Sequence, residues 1–186
     1  MASELRRELS DPGALEALAH PVRLDLLSYL ASRGPATASA CARAVGDNPS
    51  NCSYHLRVLA RHGLVEAVDS PDGRERPWRA VVTGVSIDPS VEPSSAAAKA
   101  LTGASLQLDY RLASEALGRE DGDQAWRGAD AYSAYSLAVT PDELRSLVAS
   151  IDALLRPYIA ATRDDAPAGA AIAYASIIAF PRLSFG

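Results

Sequence analysis

The chain has 186 residues, 48% hydrophobic and 22% charged, with a formal net charge of -5. That length suits one domain, or two small ones sharing a core, and the composition excludes a chain disordered throughout. No apolar run nears the roughly 18 residues a membrane-crossing helix needs, the start MASELRRELSD lacks the apolar segment of a secretory signal, and Cys41 and Cys52 are too few for a disulfide scaffold, so the expected location is the cytoplasm.

Asp11 before Pro12 predicts a capped helix start, and a first helix carries Leu15 and Leu18 up to a break at His20-Pro21. The second helix runs from about 21 to 33 with Val22, Leu26, Leu27 and Leu30 as its apolar stripe, and Gly34-Pro35 stops it. Thr37 caps a short third helix with Cys41, Ala44 and Val45 on its core face. Gly46-Asp47-Asn48 then makes a three-residue break before Pro49 and a fourth helix that ends near His62-Gly63. Beyond it the period changes from about 3.6 to about 2, and LVEAV and RPWRAVV flank Pro71-Asp72-Gly73, a hairpin signal. Residues 84–95, rich in Pro and Ser, read as a linker. The second half, 96–186, reads as a long helix to about 118, a strand over 131–139, a helix over 141–161 opened by the capping box Thr140-Pro141-Asp142-Glu143, and a strand over 171–180. The fold class is therefore α+β, mainly helical with a small β component, in two parts: 1–83 and 96–186.

The fourth helix is the informative segment. At 100° per residue Cys52, Leu56 and Leu59 share one face, and Ser50, Tyr54, Arg57 and Arg61 share the opposite one with Asn51 and Ser53 beside them. The outer face of any bundle helix is also polar. What gives this one meaning is the order of elements: short helix, tight turn, longer helix, then a hairpin with Arg74 and Arg76 by its tip, as in a winged helix-turn-helix. In such an arrangement Ser50, Asn51, Ser53 and Tyr54 can reach base edges, while Arg57, Arg61, Arg74 and Arg76 can meet phosphates. The charge balance permits this. Residues 1–83 hold ten arginines against ten carboxylates, and the whole acidic excess lies in 84–186.

The stretch LEALAHPVRLDLLSYL, followed by SNCSYHLRVLARHGLVEAVDSPDGRERPWRAV, resembles the ArsR-type winged-helix repressors of bacteria over roughly residues 10–83. Its S-x-H-L-x-x-L-x-x-x-G-L-V pattern falls on Ser53, His55, Leu56, Leu59, Gly63, Leu64 and Val65. The resemblance implies a DNA-binding transcriptional regulator, a repressor acting as a homodimer on a roughly palindromic operator in double-stranded DNA, with residues 48–62 as recognition helix. Members of that family that sense metal use a Cys-x-Cys on the third helix, or His and carboxylates on a carboxy-terminal helix. Here Thr37 and Ser39 stand at those cysteine positions, and the 96–118 helix offers Asp109 and Glu115 but no histidine. No metal, no cofactor and no catalytic residue is expected; the chain is not expected to be an enzyme.

For the 96–118 helix the expectation is a homodimer interface along Leu101, Ala104, Leu108 and Leu112, with Ala97, Ala100 and Gly103 close by. Trp126, Tyr132 and Tyr135 could line a small-molecule effector pocket, or belong to the core and rim of a small α/β layer. Cys41 and Cys52 read as small buried hydrophobes, with a thiol switch as the sharper alternative. His55 reads as a packing residue. The competing functional class is a winged-helix protein-interaction module without direct DNA binding, its acidic second half turned to a basic partner.

Overall fold

The computed structural model describes residues 6–69, 76–117, 126, 128–129 and 131–181. Its elements are β1 (Arg6–Leu9), α1 (Pro12–Leu18), α2 (Pro21–Arg33), α3 (Ala38–Val45), α4 (Pro49–Arg61), β2 (Val65–Ala67), β3 (Trp78–Ala80), β4 (Gly84–Ile87), α5 (Ala96–Leu117) and α6 (Pro141–Leu155), with a 3-10 turn over Arg156–Tyr158.

The caps foreseen from sequence are made. The Asp11 carboxylate accepts from the Ala14 N–H at 2.9 Å, Thr37 Oγ1 from the Ala40 N–H at 3.2 Å, and Asn48 Oδ1 from the Asn51 N–H at 2.9 Å. Each satisfies one of the amide groups that a first helical turn leaves without an internal partner. At the head of α6, Thr140 and Glu143 close the reciprocal capping box. Gly46 and Gly63 end α3 and α4 with φ of 69° and 65°, backbone angles that glycine adopts without a Cβ clash.

The core is built from the leucines of four helices. Leu15 and Leu18 of α1, Leu26 and Leu30 of α2, Cys41 of α3, and Cys52, Leu56 and Leu59 of α4 are almost wholly buried, and Leu64, Val65 and Val82 close the cluster from the hairpin side. β2 and β3 pair antiparallel, Val65 against Ala80 and Ala67 against Trp78. Ala36 makes a separate bridge to β3, donating to the Trp78 carbonyl at 2.9 Å and accepting from the Trp78 N–H at 2.8 Å. That bridge ties the hairpin to the start of α3.

Four expectations need correction. The first four residues of the supposed linker form β4, which pairs in parallel with β1, Arg6 opposite Gly84 and Leu9 opposite Ile87. The pair was invisible in sequence because each strand is four residues long and β1 turns only Leu9 inward. Next, the α5 face assigned to a dimer belongs to the chain's own core: Ala97, Leu101 and Ala104 are buried against α1 and α2, and Leu108 packs beside them. Stretches 131–139 and 171–180 alternate like strands yet join no ladder, and among the described residues the small β component lies within 6–87. Last, Tyr132 and Tyr135 are 95% and 81% exposed, and form neither a pocket wall nor a core rim.

An alanine at position 63 would have to hold φ near 65° and would bring its Cβ to 3.1 Å from the Arg7 guanidinium. Gly63→Ala is expected to cost about 1–2 kcal/mol, read as a lower urea midpoint with unchanged slope.

Candidate nucleic-acid interface

The inner face of α4 is fixed by burial of Cys52, His55, Leu56 and Leu59, and helical geometry then turns Ser50, Tyr54, Arg57 and Arg61 outward. All four are exposed, Tyr54 to 56%. Ser53 is half-buried and its Oγ accepts from Arg57 Nη2 at 2.8 Å, which holds the guanidinium along the helix. Asn51 is tied back instead: its side-chain amide donates to the Asp47 carboxylate at 2.6 Å. The Asn48 N–H donates to the same carboxylate at 2.7 Å, and these bonds hold Asp47 below the usual carboxylate range. Asp47 thus locks the turn between α3 and α4.

Ser50, Ser53 and Arg57 line an open groove of about 600 Å³ whose other wall carries Arg76 and Trp78. Ala38 and Ser39, from the first turn of α3, complete it together with Pro49. Two helix amino termini therefore open on one groove, and neither first turn holds an acidic residue. Free N–H groups and aligned peptide dipoles make such ends attractive to anions. The structure so brings four of the sequence-selected residues into one concavity. Tyr54 and Arg61 stand on the same helix face outside it, Asn51 is committed to Asp47, and Arg74 lies outside the described residues. In the sequence Ser39 stands out only as a metal-ligand position and Trp78 has no role in the interface; the Ala36–Trp78 bridge that ties the hairpin to α3 has no local signature. Arg79, across the hairpin, is paired with Glu66, so it adds little net charge.

A family model described as a helix-turn-helix domain matches residues 18–68. With the β2–β3 hairpin packed against it, this is a winged helix-turn-helix domain. Among solved structures, the homodimeric winged helix-turn-helix DNA-binding domain of a possible ArsR-family transcriptional regulator from Mycobacterium bovis is 27% identical, covering 52% of this chain and 76% of that one, with a TM-score of 0.35. A MarR-family transcriptional regulator from Silicibacter pomeroyi is 16% identical over 77% of this chain and 79% of that one, with a TM-score of 0.34. The PcaV transcriptional regulator from Streptomyces coelicolor, solved with its natural ligand, is 13% identical over 82% and 78%, with a TM-score of 0.31. No curated protein matches the chain.

The winged helix-turn-helix domain also packs two imidazoles together, His55 buried and His20 half-buried. The His20 and His55 rings lie 4.5 Å apart between centroids. His55 is 6% exposed, and His20 Nδ1, Arg23 Nε and His55 Nδ1 are buried without a hydrogen-bond partner among the described residues. Burial first holds both histidines below their ordinary pKa; the Arg23 charge adds to this at His20, and His20 and then Arg23 at His55, while Asp47 opposes. His55 does pack, but against another titratable ring rather than an inert wall. The cysteines are fully buried in the same domain; burial pushes the Cys41 thiol up to about 11 and raises Cys52 as well. Little thiolate exists near neutral pH, so these groups are poor nucleophiles. Among the described residues no group of three or more His, Cys, Asp or Glu side chains could hold a metal ion.

The imidazole pair sets a pH dependence. Folded-state pKa values below the unfolded value near 6.5 mean that the unfolded chain binds more protons in that window. Stability is therefore expected to be level above about pH 6.5 and to fall as pH drops below it, before carboxylates titrate. Urea midpoints at pH 7.5 and 5.5 measure the fall, and His20→Asn with His55→Gln should flatten it.

Proposed function

We propose that the chain is a transcriptional regulator that binds double-stranded DNA through the winged helix-turn-helix domain, as a homodimer held through α5 on a roughly palindromic operator, and that it acts as a repressor. The observation that supports this best is the convergence of Ser50, Ser53, Arg57 and Arg76 on one groove at the amino-terminal ends of α3 and α4. A major groove admits one helix, and α4 is placed to enter it amino-terminal end first. Ser50 and Tyr54 then face base edges. Arg57 and Arg61, at successive turns, meet phosphates, and Arg76 meets the backbone on the far side of the concavity. Arg74, two positions before Arg76 in the sequence, is proposed to add a further backbone contact.

The electrostatics favour orientation over general affinity. Residues 1–83 are neutral in sum, so attraction comes from a few guanidinium groups and two helix dipoles on one face rather than from a basic surface. Non-specific binding should be weak, with a salt slope of only about 0.9 for each of the few phosphates neutralised. Among the described residues no helix is long and apolar enough to cross a membrane.

Selection from a random duplex pool tests the assignment and should return two half-sites in inverted repeat. On the selected duplex, Arg57→Ala with Arg61→Ala should lower the slope of log K against log salt by about 0.9 for each phosphate that is no longer neutralised. Unchanged affinity and slope would remove α4 from the groove. A full chain that enriches no duplex at low salt would leave the interaction-module reading in its place.

A further inference from the structure

The outward stripe of α4 has two flanks. Measured around the helix from Ser50, Ser53 lies about 60° to one side and Tyr54 about 40° to the other. The Ser53 flank borders the groove whose far wall is the hairpin. The Tyr54 flank leads to α2. There the Tyr54 ring meets the His55 ring edge-on at 5.3 Å, and His55 lies 4.5 Å from His20, the residue that precedes α2. Arg23, in the first turn of α2, donates its backbone N–H to the His20 carbonyl at 3.0 Å. Two stacked rings thus join Tyr54 of the outward stripe to the amino-terminal end of α2.

This cluster is short of acceptors. Arg23 Nε, His20 Nδ1 and His55 Nδ1 are buried without a hydrogen-bond partner among the described residues, and His55 is only 6% exposed. The carboxylates that could serve are engaged elsewhere. Asp25 of α2 pairs with Arg111, and Asp47 holds the Asn48 N–H and the Asn51 amide. α2 has neither a side-chain cap nor an acidic residue in its first turn. Arg23 itself is half-buried. Burial lowers its pKa and Tyr54 opposes that shift, but a guanidinium stays charged near neutral pH. A partly desolvated charge without a counter-ion is costly, and the planar fork of a guanidinium matches an oxyanion.

A duplex read by α4 brings an oxyanion to this flank. The major groove is about 12 Å wide and a helix with its side chains about 10–12 Å across, so a helix filling the groove meets both sugar-phosphate walls. Arg57 and Arg76 serve the wall on the hairpin side. We propose that Arg23 binds a phosphodiester of the opposite wall, so that the backbone grips α4 on both flanks. The amino-terminal end of α2 adds its dipole to the attraction. The contact rests on the duplex reading proposed above, and recruits a residue from outside α3, α4 and the hairpin.

Single methylphosphonates, each removing one backbone charge, scanned along the selected duplex test the contact. The wild type should lose about tenfold in affinity at one phosphate per half-site, and that phosphate should stay sensitive in Arg57→Ala with Arg61→Ala and in Arg76→Ala. Arg23→Gln should weaken binding about tenfold for each half-site, lower the salt slope by about 0.9 for each, and be indifferent to methylphosphonate at that phosphate. Arg23→Lys, which keeps the charge, should keep both the slope and the sensitivity. A urea midpoint for Arg23→Gln no lower than wild type shows that the loss is not one of folding. Where Arg23→Gln does not fold, the wild-type scan decides: absence of a phosphate indifferent to the Arg57, Arg61 and Arg76 variants would overturn the proposal. Unchanged affinity and slope in Arg23→Gln, beside a lowered slope in Arg57→Ala with Arg61→Ala, would overturn this contact and leave the duplex reading standing. A full chain that enriches no duplex would end both.

Discussion

Everything presented outward by this chain depends on the burial of one helix face. Cys52, His55, Leu56 and Leu59 of α4 are pressed into the core made by α1, α2 and α3, and that burial fixes the rotation of α4 about its own axis. Removing that much apolar surface from water outweighs any local preference of the polar residues. Ser50, Tyr54, Arg57 and Arg61 therefore point outward without needing contacts of their own to place them. The turn before α4 is held by different means: Asp47 gathers the Asn48 N–H and the Asn51 amide, and Gly46 supplies the left-handed turn. Hydrophobic burial thus sets the rotation of the helix, and a small polar lock sets its starting point.

The same core reaches further than the reading domain. Ala97, Leu101 and Ala104 bring the first half of α5 into it, so α5 is a wall of the domain on one side and leaves Leu106, Tyr110 and Leu117 exposed on the other. A helix with two apolar stripes has little hydrophobic asymmetry, and its sequence alone does not say which stripe faces home. The stripe richer in leucine was the natural choice for a partner. It is the one the chain keeps, because α1 and α2 offer it a ready surface within the same molecule.

What could be read from sequence divides along a physical line. Helices with caps, stops and a period of 3.6 were legible because each residue's role is decided within four neighbours; α2, α3 and α4 are examples. The hairpin was legible through its turn residues. The β1–β4 pair was not, since its two strands are separated by more than seventy residues and carry almost no alternation. The concavity was half legible: helix geometry gave Ser50 and Arg57, but Ser39 and Trp78 arrive through a strand bridge at Ala36 that no local pattern announces. The His20–His55 contact was missed for the same reason, each ring having looked ordinary in its own helix. Stretches 131–139 and 171–180 show the opposite failure. Their alternation is real, but a strand also requires a neighbour, and neither stretch has one among the described residues.

The carbonyl end of α4 has an unusual guardian. Arg7 donates to the carbonyl oxygens of His62 and Gly63, at 2.8 and 3.2 Å, and Arg7 is itself held in place by the parallel pairing of β1 with β4. β1 thus finishes a helix more than fifty positions downstream, and is itself steadied by residues more than seventy positions downstream. During synthesis, then, β1 must wait for a strand that emerges only after the hairpin. Helices α2, α3 and α4 can form early and locally, but the fastening of α4 is an event of the completed domain, slow because its contacts are distant in the chain.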